Sequence, residues 1–435
     1  MIFNLPAILG LIPILLYIVL TIMGKDMVWA VLLSVIVGAV LTGKTLVQCG
    51  PILADAIGSF LSLIGLIIML GAGLGEVLSR TKVAPNIVRV VMVKANVKTQ
   101  TRAMVVTMLL SSLLVGMMGT LAGANAILAP IVISVVANLG ITPSTLGVLF
   151  QGAGAVGLMA GPFVPPVVTI LGLTGVSYGA YLLEAGLPFA IIMWIVTFIV
   201  AKKVQKKTEG VTSYTDDDRS PKDFEVTPQV KRGTIVFVVG MVLMLGYGIY
   251  SKVGAAYATM VMLTMSFAVG LSAGLKPTQI LEAILAGCVR LFPLFFMFVL
   301  FEPLMNFVEE SGAFAALTQY LQPVLAVGGK IGFMMITTII GIFGISGAAV
   351  AQSMIIHEMF GASAANIGIP IAVWAMILMV GSQLTSFAYP GGDMLGQMGL
   401  ARSKDVKSMM RNGITLTIAA IVYILIRGIV LTIAG

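Results

Sequence analysis

Residues 103–137 read AMVVTMLLSSLLVGMMGTLAGANAILAPIVISVVA, an uncharged apolar stretch longer than the roughly 20 residues that cross a bilayer once. Gly119-Thr120-Leu121-Ala122-Gly123-Ala124-Asn125 interrupts it at the middle with small and polar residues. Two apolar arms joined by such a break read as a re-entrant hairpin, which enters the membrane and returns to the side it left. A second stretch of this kind runs over 331–360 and is interrupted at 344–352. After each hairpin comes an apolar span with its own break. The first, 145–173, is broken by Gly161-Pro162-Phe163-Val164-Pro165-Pro166, and the second, 366–398, around Pro390-Gly391-Gly392. One gapless offset of 225 residues pairs Gly116 with Gly341, Gly119 with Gly344, Ala124 with Ala349, Ala126 with Ala351 and Pro165 with Pro390.

Outward from these breaks the chain falls into two halves with one grammar. Apolar spans near 5–23, 27–42 and 57–79 precede a basic amphipathic stretch, 80–102, and the first hairpin; a span at 182–201 follows the first broken helix. Spans near 233–250, 254–273 and 284–308 precede the second hairpin, and 412–433 closes the chain. Residues 202–232, with Asp216-Asp217-Asp218 and many lysines, are a polar linker. The expected domains are therefore a first repeat (1–201), a cytoplasmic linker (202–232) and a second repeat (233–435). The first apolar run, Leu5 to Met23, lacks a basic lead and a small-residue cleavage site, and is read as a retained helix.

Composition agrees. Hydrophobic residues make up 59% of the chain and charged ones 10%, with mean hydropathy +1.09; soluble domains carry about a quarter charged residues. The net charge of +8 does not point to nucleic acid, because the cations cluster in loops beside apolar runs. Counting each hairpin as re-entrant leaves five full spans per half, and an odd number forces the second half to enter upside down. With both termini outside, 20 of the 25 Lys and Arg are cytoplasmic; Lys44, Lys252, Arg290, Lys330 and Arg427 are the others. The expected fold is an all-α membrane protein: an inverted repeat of five transmembrane helices plus one re-entrant hairpin each, with broken helices, in the cytoplasmic membrane. Cys49 and Cys288 then fall toward opposite faces and do not pair.

Unwound backbone is costly in hydrocarbon and survives where it is buried in protein or lines a wet cavity. Breaks of inverted repeats meet near the bilayer midplane and form the substrate site there. Free N–H groups at helix N-termini suit an anion. The candidate substrate-binding residues are Gly123, Ala124, Asn125, Gly161, Pro162, Ser346, Gly347, Gln352, Thr385, Ser386, Tyr389 and Gly391. Ionisable residues in apolar segments are candidates for ion coupling: Asp393 first, inside the second break, then Glu302 and Glu76. His357, the only histidine, lies beside Glu358 on the second hairpin, and Glu184 opens a helix on the outer side. Gly152, Gly154 and Gly157 fit a G-x-G-x-x-G fingerprint but lie inside a membrane helix with no preceding strand, so close helix packing explains them. No nucleophile–base or metal-ligand spacing suggests an enzyme.

The hairpin-plus-broken-helix repeat resembles the ion transporter superfamily, which includes dicarboxylate, citrate, lactate and gluconate permeases and some sodium/proton antiporters. Ile64-Gly65-Leu66-Ile67-Ile68-Met69-Leu70-Gly71-Ala72-Gly73-Leu74-Gly75 is similar to the third-helix segment of gluconate-type permeases, and Gly161 to Pro166 to their proline-rich break. The chain departs from the family in having Asn125 and no carboxylate at the first tip, and no His after Pro165-Pro166. The antiporter branch's Ser-Pro-x-Ser-Asp-Thr-like motif is replaced here by Gly-Pro-Phe-Val-Pro-Pro. The expected function is secondary active transport of a small organic anion, a carboxylate or sugar acid, by symport with a proton or sodium ion and alternating access; the alternative is a sodium/proton antiporter. The expected partners are the anionic substrate and the lipid bilayer, with a homodimer admissible and no nucleic acid. No cofactor beyond a coupling sodium ion or proton, and no metal centre, is expected.

Overall fold

The computed structural model describes residues 6–23, 25–215, 225–251, 256–344, 349–388 and 390–434, which are helices and their connections with no strand among them. Nine helical stretches among these residues are long and apolar enough to cross a bilayer, and shorter apolar helices accompany them. The chain is a multi-pass membrane protein. Ser346, Gly347, Tyr389 and the Asp216-Asp217-Asp218 run lie outside the described residues.

The first half opens with α1 (Ile12–Ile22), α2 (Met27–Thr42), α3 (Leu46–Ile57) and α4 (Phe60–Arg80). The starts of α2, α3 and α4 are set by side-chain caps. Asp26 accepts from the Trp29 amide at 3.0 Å, Thr45 and Gln48 form a reciprocal capping box, and Ser59 accepts from the Ser62 amide. The basic stretch forms α5 (Val83–Lys94). The hairpin is α6 (Gln100–Met118) and α7 (Leu121–Asn138), turned at Gly119 in the left-handed region (φ 70°). The broken helix is α8 (Pro143–Ala160) and α9 (Pro165–Thr174), with Pro at the first helical position of both arms. A short α10 (Tyr178–Tyr181) and a π-helical turn lead into α11 (Leu187–Thr208).

The second half repeats the order with α12 (Pro228–Tyr250), α13 (Tyr257–Ser272) and α14 (Pro277–Glu310). The hairpin arms are α15 (Ala313–Ile342) and α16 (Ala349–Asn366). The broken helix comprises α17 (Ile371–Gln383), α18 (Thr385–Ala388) and α19 (Gly392–Leu400), and α20 (Val406–Ala434) closes the chain.

Matching helices of the two halves run in opposite directions. On α4, Gly65 packs on Phe295 and Phe298 of α14, while Gly73, two turns on, packs back at Ile284. On α11 and α20, Glu184 just before one helix meets Arg427 near the end of the other at 2.8 Å, and Lys203 and Arg411 share a groove at the opposite end. The halves also interlock: α9 packs on α16 and α17, and α19 packs on α7 and α8. The first hairpin begins and ends at one face, since Gln100 Nε2 donates to the Leu139 carbonyl (3.1 Å) and Gln205 Nε2, near the end of α11, to the Gly140 carbonyl (2.8 Å).

Four features extend the sequence reading. Leu46–Ile57 is helical, although it is too polar to read as a span. The helix α11 continues to Thr208, seven residues into the segment read as linker, because Lys202, Lys203, Lys206 and Lys207 are good helix formers that complement the C-terminal dipole. The helix α15 starts at Ala313 and is kinked at Gly329 (φ 54°), so its apolar arm is only its second part. Arg290 pairs with Glu76, as Arg80 does one turn away, so Arg290 and Arg80 lie at one end of the same helix pair.

Candidate functional site

The first hairpin tip is held against both broken helices. Gly119 sits against Pro165 of the first break. Asn125, one turn into α7, is wholly buried. Its Oδ1 accepts from the Ser111 hydroxyl at 2.7 Å, and its Nδ2 donates to the Phe150 carbonyl (3.1 Å) and to Gln397 Oε1 on α19 (2.7 Å). All the hydrogen-bonding capacity of its Nδ2 is therefore spent on protein partners. Ala124 beside it is buried, and Gly123 faces a cavity.

The second break is tied to the same region. Gln151 Nε2 on α8 donates to the Ser386 carbonyl at 2.8 Å, and the Ser386 hydroxyl donates to Asp393 Oδ2 at 2.8 Å. Asp393 occupies the first turn of α19, where the helix dipole favours a negative charge. Thr385 is buried and donates to the Ser382 carbonyl, and Gly391 caps α19 in an extended conformation. At the second hairpin, the Gln352 side chain lies against Gly344. Gln151 Oε1 and Gln397 Nε2 are buried with no described hydrogen-bond partner, as are both amide atoms of Asn412 at the start of α20. Such groups cost about 1–3 kcal/mol each when left unpaired, so they mark polar ground between the breaks.

Two cavities adjoin this region. One, of about 460 Å³, lies between α4, α14 and the first tip, and is lined by Glu76, Ser79, Thr120, Gly123 and Arg290 among others. Here Glu76 receives Arg80 Nε at 2.9 Å and Arg290 at 2.6 Å. Glu76 and Arg290 are the two charged residues of the cavity wall and offset each other, with Arg80 neutralising Glu76 further from outside the wall, beside the free N–H groups that open α7. The other, of about 490 Å³, is apolar: Gly161, Pro162 and Phe163 of the first break face Phe237 and Met241 of α12.

The structure thus places Asn125 in one set of hydrogen bonds and Ser386 with Asp393 in another, and Gly123 and Glu76 in one cavity. It places Gly161 and Pro162 against apolar walls, and Glu302 apart from these groups, beside Ser59 and Asn306. His357 Nδ1 accepts from Trp374 Nε1 at 2.9 Å, and Glu184 is ion-paired with Arg427. Sequence reasoning passed over Ser111, Gln151, Gln397 and Arg290. Their signal was present: side-chain amides, a hydroxyl and a guanidinium inside apolar helices are costly unless they bond across helices. The three fingerprint glycines face α11 (Thr197), α7 (Leu121) and α6 (Gly116), as helix packing requires.

No family model and no curated relative matches the sequence. The fold is shared with two solved membrane proteins. MtrF of Neisseria gonorrhoeae, whose structure illuminates a class of antimetabolite efflux pumps, aligns over 98% of this chain and 95% of its own, at TM-score 0.60 and 15% identity. The YdaH transporter of Alcanivorax borkumensis, with an unusual topology, aligns over 97% of both chains, at TM-score 0.63 and 14% identity.

Proposed function

We propose that this chain is a secondary active transporter of a small organic anion, a carboxylate or sugar acid, working by alternating access on a proton or sodium gradient. The observation that carries the reading is the polar cavity at the first hairpin tip, where the Arg290 guanidinium, the Thr120 hydroxyl and the α7 N-terminus converge. Arg290 supplies a charge-assisted donor for a carboxylate, and Gly123 lets the ligand approach the backbone. The overall likeness to an efflux pump and a transporter supports transport as the class of activity, and the motifs similar to gluconate-type permeases support an anion. The amide network around Asn125 braces the tip, so the anion meets Thr120 and Arg290 on its cavity side.

A second reading, sodium/proton antiport, draws on Asp393, the one carboxylate in a described break. Proteoliposomes separate the two. Under the first reading, an imposed proton or sodium gradient drives accumulation of a labelled carboxylate, and thermal-shift screening finds carboxylates that stabilise the protein by mass action. Asp393→Asn then abolishes accumulation while leaving carboxylate-dependent stabilisation intact. Gradient dissipation by sodium alone, with no carboxylate bound or moved, overturns the anion reading in favour of antiport.

A further inference from the structure

At the cytoplasmic end of α11 and α20 the two helices leave a groove of about 120 Å³ lined by Val196, Ile199, Val200, Lys203, Arg411 and Thr415. Lys203 lies five residues before the end of α11 and Arg411 five residues into α20, so both cations sit at one depth. Both side chains are exposed, neither forms an ion pair with a described residue, and no carboxylate lines the groove. Deeper in the membrane the same two helices expose Ile195, Ile199, Ile414 and Ile418. A cationic notch therefore stands at the foot of two apolar walls.

We propose that this groove is a binding site for an anionic phospholipid of the cytoplasmic leaflet, its phosphate between Lys203 and Arg411 and its acyl chains along the isoleucines. The inference is independent of the transported substrate. Three things favour a lipid over a soluble anion. The notch opens onto lipid-facing side chains, and the cytoplasmic leaflet carries the negative surface charge that basic pockets between helices recognise. Lys202, the neighbouring cation, is folded onto the Phe198 ring at 5.2 Å, which keeps it at the interface and leaves the groove to Lys203. Thr415, one turn above Arg411, adds a hydroxyl that can donate to a glycerol or phosphate oxygen once it leaves the Arg411 carbonyl it now bonds at 2.7 Å.

The test is native mass spectrometry of the purified protein in detergent, titrated with phosphatidylglycerol, with phosphatidylcholine or with glycerol phosphate. Phosphatidylglycerol should be retained in preference to both. Lys203→Ala and Arg411→Ala should each weaken retention by about five-fold, the worth of one cation near an anionic surface. Arg411→Lys should keep most of it, and Lys94→Ala, on the same face but outside the groove, should change nothing. Equal retention of phosphatidylcholine, equal binding of glycerol phosphate, or an unaltered double variant overturns the proposal. Because both side chains are exposed, the variants leave the core intact, and lipid-free melting midpoints confirm it.

Discussion

Asn125 of the first hairpin and Gln397 of the second broken helix are joined by a hydrogen bond of 2.7 Å across 272 residues of sequence. Both side chains are wholly buried. In an apolar interior neither amide has water to turn to, so the bond fixes where the tip of one half meets the broken helix of the other.

Removing either partner should therefore destabilise more than removing a surface amide. Asn125→Ala strands the Ser111 hydroxyl and Gln397 Oε1, at about 1–3 kcal/mol for each buried group left unpaired. Melting midpoints of Asn125→Ala, Gln397→Ala and the double variant form a cycle. A coupling of about 0.5–3 kcal/mol is expected; strictly additive losses would show that the bond does not join the halves.

Arg290 is the residue on which anion affinity should turn. Arg290→Gln should weaken apparent carboxylate affinity about ten-fold or more, the worth of a charge-assisted hydrogen bond at roughly 1.4 kcal/mol per decade. Glu76 keeps Arg80 as a partner, so folding should survive. Uptake and thermal-shift titrations with one carboxylate measure the effect, and unchanged affinity would remove Arg290 from the site.

Topology can be read with reporters. A fusion after Gly435 should report from the outer face and an insertion near Ser213 from the cytoplasm. A cytoplasmic C-terminus is incompatible with five spans per half.

Asp405 gives a pH signature outside the membrane spans. Burial pushes its carboxyl up, but the Ser408 hydroxyl and amide, the Ser144 hydroxyl and the Lys207 charge outweigh it and hold the group below the usual 3.8. A depressed folded value means stability that is complete above the unfolded value and lost as pH falls through the folded one. Asp405→Asn should thus melt below the parent at about pH 7, and the gap should close only at a pH under about 4. A gap that persists to the lowest pH would mean that Asp405 acts by shape rather than charge.

The architecture was legible because it rests on patterns that leave a mark in sequence. Uncharged runs interrupted by Gly119 to Asn125 and by Gly161 to Pro166, and an offset that keeps Gly116 on Gly341, are enough to draw the repeats. The site was legible only in outline. Asn125 was visible as a polar residue at a tip, but its partners Ser111 and Gln397 are 14 and 272 residues away, and no local pattern links them. Arg290 read as a stray cation until its ion pair with Glu76 set its depth. The second tip, with Ser346 and Gly347, lies outside the described residues, so the symmetry of the two tips rests on sequence.

Where α6 crosses α8, a Cβ on Gly157 would come within 2.7 Å of the Gly116 nitrogen; where α15 crosses α17, one on Gly341 would come within 2.7 Å of the Gly381 Cα. Both crossings are backbone on backbone. A side-chain layer acts as a bearing, because rotamers can exchange partners as one helix slides past another, and main chain in direct contact has no such play. Each hairpin and the helix it crosses are in that sense riveted. Any movement that turns the tips toward the other side of the membrane must carry both members of a pair together, with the slip taken up at other contacts.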